Sequence, residues 1–98
     1  MGAYDFITAS SGKDVEQAFL NAKAEAAWEY GHRPYTGTIA EKDEYVLVAD
    51  RPMTTTEAEK LAAHLLNTDD ERIRDKRGPA GAIPVDDGTW LFLGYAAS

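Results

Sequence analysis

The chain has 98 residues, room for one domain over 1–98 with a single core, and its 44% hydrophobic and 10% aromatic content is ordinary for a globular fold. Its 10 Lys and Arg against 17 Asp and Glu give a net charge of -7, which repels a phosphate backbone and speaks against direct nucleic-acid binding. The absence of cysteine removes disulfides, thiolate metal sites and cysteine nucleophiles.

The opening "MGAYDFITASSGKD" lacks the apolar run of a signal peptide, and no segment reaches the roughly 20 apolar residues that cross a bilayer. No membrane partner and a cytoplasmic location are therefore expected. Residues 4–9, "YDFITA", have the β-branched and aromatic content of a strand that "SSG" breaks. From Lys13 to Tyr30, the residues Val15, Ala18, Phe19, Ala22, Ala26 and Tyr30 share one side of a helical wheel, with Ser10 or Ser11 as the cap and Gly31 and Pro34 as the stop. "YTGTIAEKDEYVLVAD" reads as two strands, 36–40 and 44–49, joined through the charged turn "EKDE". Thr54 with Glu57 is a capping box, and Ala58, Leu61, Ala62 and Leu65 form the buried stripe of a second helix ending near Asn67. After "DDERIRDKR", the runs "GPAGAIPV" and "TWLFLGYA" around "DDG" read as a second hairpin.

The order strand, helix, two strands, helix, two strands predicts an α+β two-layer sandwich, with two helices on a mainly antiparallel sheet. In that layering only one sheet face is covered, yet the strands are apolar on both. Val46, Val48, Leu91, Leu93 and Tyr95 fall on one face, and Tyr45, Leu47, Trp90 and Phe92 on the other. Either a helix or loop crosses the second face, or a second copy of the chain buries it; of these the homodimer is slightly favoured.

Leu20, Ala24 and Trp28 recur on the helix side opposite its core stripe, where a surface helix should be polar. They mark a partner-binding face, unless Trp28 folds over an adjoining loop. His32, Arg33 and Tyr35 extend that candidate, since binding groups concentrate in loops between ordered elements. A second candidate is "ERIRDKRGPAGAIP", where Arg72, Arg74, Lys76 and Arg77 lead into Gly78 and Gly81. Guanidinium groups hold phosphate or carboxylate, and glycines let backbone N–H groups approach a ligand. The competing reading pairs those cations with Asp69, Asp70, Glu71 and Asp75. "ITASSGKD" runs from strand through Gly-Lys into helix but has Ile7 and Asp14 where a P-loop needs Gly and Ser or Thr. The two histidines, His32 and His64, have no metal-binding spacing, so no metal and no cofactor is expected, and no catalytic constellation is found.

The segments "YGHRPYTGTIAEK" and "DKRGPAGAIPV" with "TWLFLGYA" are similar to small uncharacterised accessory proteins encoded by bacteriophages of actinobacteria. That resemblance implies a protein made in the bacterial cytoplasm and carries no assigned activity. The leading expectation is a non-enzymatic phage-type protein that binds and modulates a host protein through an acidic and apolar surface. The alternative is a small anionic-ligand binder, for instance of a nucleotide, at Arg72 to Gly81.

Overall fold

A computed structural model of the chain describes residues 3–30 and 36–97. The elements are β1 (Ala3–Ser11), α1 (Val15–Tyr30), a 3-10 turn (Ile39–Glu41), β2 (Tyr45–Leu47), α2 (Thr55–Asn67), β3 (Ala80–Pro84) and β4 (Thr89–Ala97). The fold is α+β, with both helices packed on one mixed four-stranded sheet, and the expected order holds with the 3-10 turn standing in its third place. The sheet runs β1-β4-β3-β2. β4 is antiparallel to both its neighbours, and β2 lies parallel to β3 with α2 as the crossover between them.

Each departure from the expected elements has a local cause. Ser10 and Ser11 do not cap α1, because they continue β1 opposite Trp90 and Thr89. Asp14 is the cap: its Oδ1 accepts the Gln17 N–H at 2.9 Å and its carbonyl accepts the Ala18 N–H at 3.0 Å. The strand expected over 36–40 does not form. Gly37 sits at φ 74°, Thr36 donates its N–H and hydroxyl to Glu41 Oε2 at 3.0 and 2.9 Å, and Thr38 Oγ1 accepts the Ala40 N–H at 3.2 Å. These bonds close the segment on itself and leave β2 to find β3 instead of a hairpin partner. The proposed helix stop at Gly31 and Pro34 lies outside the described residues, as does the Tyr30 side chain.

The second helix follows its sequence signals closely. Thr54 Oγ1 accepts the Glu57 N–H at 3.1 Å while Glu57 Oε1 accepts the Thr54 N–H at 3.0 Å, and these bonds hold the Glu57 carboxyl below its ordinary 4.5. At the other end the Asp70 N–H reaches the Leu65 carbonyl at 3.1 Å and the Asp69 N–H the Leu66 carbonyl at 3.2 Å. That is a Schellman closure, with Asp69 at φ 56° in the place glycine usually fills. Asp69→Gly should therefore raise stability by about 0.5–1 kcal/mol in urea denaturation, and a loss of stability would show that the Asp69 carboxylate matters more than its backbone strain.

The layering differs from a two-layer sandwich. α2 buries Ala58, Ala62, Leu65 and Leu66 against Ile83, Leu91 and Leu93, with Val46, Val48 and Tyr95 packed alongside. α1 buries Ala18, Phe19, Ala22 and Ala26 against Ala80, Ala82 and Phe92, with Tyr45 and Trp90 alongside. The helices thus lie on opposite sides of the sheet. The doubly apolar strands sort to the two faces as their alternation predicts, except that Leu47 is exposed. Because a helix covers each face of the central strands, no bare face there calls for a second copy. Small residues on both sides let α1 approach closely, and Phe19, Tyr45 and Phe92 fill the remaining space with ring centroids 5.1 to 6.5 Å apart.

Candidate functional site

The basic segment before β3 folds around a cation. Lys42, which closes the 3-10 turn, is buried, and its Nζ donates to the carbonyls of Asp75, Lys76 and Gly78 at 3.2, 3.3 and 3.0 Å. Burial pushes the Lys42 ammonium below its ordinary 10.5, and the charge of Asp75 opposes that shift. An anion cradle needs N–H groups converging on the ligand, whereas these inward-facing groups are carbonyls already engaged by an ammonium.

The other members of the proposed cradle are also placed elsewhere. Arg72 folds back on Asp70, with Nε to Oδ1 at 2.9 Å and Nη2 to Oδ2 at 3.1 Å, which lowers the Asp70 carboxyl and raises the guanidinium. Arg74 and Arg77 are exposed, and the Arg77 N–H donates to Asp75 Oδ1 at 2.9 Å. Gly81 is buried in the sheet, where a Cβ would stand 3.0 Å from Ile73 Cγ2 and 3.3 Å from Leu93 Cδ2, so its lack of a side chain serves packing. A Cβ on Gly78 would meet the Asp75 Cβ at 3.1 Å. Lys42 itself reads in the sequence as one charge of a solvated turn. The available signal is its place three residues after Ile39, which in a 3-10 turn puts both on one side.

The partner-binding candidates fare differently. Leu20 is 50% exposed and Trp28 90% exposed, and Ala24 between them is exposed too. The loop over which Trp28 could fold begins at residue 31, outside the described residues. His32, Arg33 and Tyr35 lie outside the described residues.

A second feature of α1, on a different side of the helix, was not evident from the sequence. Between β1 and α1 runs an open groove of about 300 Å³, walled by residues 5–9 of β1 and by Ala22, Glu25, Ala26 and Glu29 of α1, with Gly37, Thr38 and Ile39 at its end. Leu20, Ala24 and Trp28 are not among its walls; they lie farther round the helix, and Glu25 and Glu29 stand between the groove and Trp28. Among the described residues, no Lys or Arg pairs with Glu25 or Glu29. β1 is also the open edge of the sheet, and its Tyr4 and Ile7 are 64% and 45% exposed.

Among the described residues, no three His, Asp or Glu side chains are grouped to hold a metal ion, and no helix is long and apolar enough to cross a membrane. Comparison with protein-family models, curated proteins and solved structures gave no significant match.

Proposed function

We propose that this chain is a non-enzymatic protein-binding module, an accessory protein of phage type that engages a host protein through the acidic and apolar surface of α1 and β1. The observation that carries this reading is Trp28. A 90% exposed tryptophan leaves a large apolar surface in water, and tryptophan is the residue that most often anchors an interface. Leu20 and Ala24 extend the apolar surface along the helix, and the net charge of -7 suits a partner whose own site is basic. A host site that ordinarily takes nucleic acid has that character.

Affinity capture from an actinobacterial lysate tests the reading. The chain should retain a specific partner, and Trp28→Ala should lose most of it while keeping its fold by circular dichroism. No specific partner, or equal retention by Trp28→Ala, would remove the reading. A panel of nucleotides in thermal-shift assays addresses the anionic-ligand alternative, since a native-state ligand at 100 times its Kd adds about 2.7 kcal/mol of stability. With Arg72 engaged by Asp70 and the loop carbonyls by Lys42, no shift is expected.

A further inference from the structure

We propose that the open edge of β1 and the groove beside it accept an extended basic segment of the partner, added to the sheet as a fifth strand, with Lys or Arg alternating with apolar residues. The inference rests on the reading that the chain binds another protein, and it specifies where and in what conformation.

Backbone geometry comes first. All nine residues of β1 pair with β4, so its alternate N–H and C=O groups point to the open side, where a strand finds a ready template. The Asn21 side chain donates to the Ser11 carbonyl at 2.8 Å, which closes that end, and among the described residues no strand pairs with the outer side of the stretch before it.

Side-chain spacing then selects the sequence. On the α1 face an added strand lies in the groove against Glu25 and Glu29. Four helical residues advance about 6 Å, and two strand residues about 6.7 Å, so basic side chains at i and i+2 meet the two carboxylates in step. The intervening residues fall on the opposite face beside Ile7 and Ala9, which α2 does not cover, and there apolar side chains fit. A second copy of the chain is the poorer occupant. Pairing two β1 edges about a twofold axis would bring together two identical acidic grooves on two chains of charge -7.

A dye-labelled alternating Lys-Val peptide of about eight residues, titrated against the full chain and followed by fluorescence anisotropy, tests this. Saturable binding is expected, weakened about tenfold by Glu25→Gln with Glu29→Gln, since two exposed charge contacts are worth about that much together. The same peptide N-methylated at alternate amides, in either register, keeps its charge but cannot join a ladder in both, and one register should abolish binding. No binding of the unmodified peptide, or binding indifferent to both N-methylated forms, overturns the proposal. If the peptide fails while Trp28-dependent capture of a host protein succeeds, the edge is wrong and the protein-binding reading stands; if both fail, neither survives.

Discussion

Lys42→Ala is expected to destabilise the fold by about 3 kcal/mol in urea denaturation, more than any substitution of an exposed charge. The change strips three loop carbonyls of a charged donor and empties the space of a buried four-carbon stem. Lys42→Met keeps most of that volume and should cost about half as much. A loss under about 0.5 kcal/mol in Lys42→Ala would mean that water replaces the ammonium without penalty. The alkaline limb gives an independent reading. Because the folded pKa of Lys42 is depressed, at high pH the folded state releases its proton before the unfolded state does at 10.5. Between those two values the unfolded state binds more protons, so Lys42 favours folding increasingly as pH rises and loses that contribution as pH falls back through the folded value. Tyr45 and Tyr95 act oppositely, their raised pKa values making the folded state weaken as pH climbs past the ordinary 10.0. Both are present in Lys42→Met, so the advantage of the wild type over that variant should widen with pH toward 10.5.

Gly12→Ala should cost a similar amount, about 2–3 kcal/mol. A Cβ at Gly12 would lie 2.6 Å from the Ala18 nitrogen and 2.9 Å from the Gln17 carbonyl carbon. Those atoms are helix backbone held by the Asp14 cap, so relief requires moving the first turn of α1 away from the end of β1. Gly88→Ala is the comparison. Gly88 has φ 91° but nothing within 4 Å of an added Cβ, so only the backbone penalty of about 1 kcal/mol applies. Equal losses at the two positions in matched urea titrations would show that the β1–α1 junction relaxes freely.

The parts of the fold written in short-range periodicity were legible. Ala18, Phe19, Ala22 and Ala26 repeat at the helical period and are buried, and the strict alternation of Trp90 to Tyr95 sorted those residues to the correct faces. What the sequence concealed depends on partners far along the chain. Tyr45 to Leu47 look the same whether they pair with a preceding hairpin arm or, as here, with Ala80 to Ala82 across a helix. Lys42 finds its carbonyls 33 to 36 residues later, beyond any pattern a local reading inspects. The same limit divided the candidate site. The apolar interruption at Leu20 and Trp28 shows on a helical wheel, whereas the groove exists only once β1 is laid against α1. The glycines before β3 suggested ligand access because glycine permits any close approach, and here Ile73 and Leu93 do the approaching at Gly81.

The placement of β4 sets the order in which the molecule can be built. It lies between β1 and β3, yet it follows both in the chain, so a ribosome delivers the interior strand after every element that leans on it. Until Thr89 to Ala97 emerge, β1 has no ladder to join and the two helices share only β3 and its neighbour β2 as a floor. The nascent chain must therefore carry Phe6 and Phe19 short of their β4 neighbours until that strand emerges, and the long loop closed by pairing Ala3 with Ala97 makes this collapse slow rather than progressive.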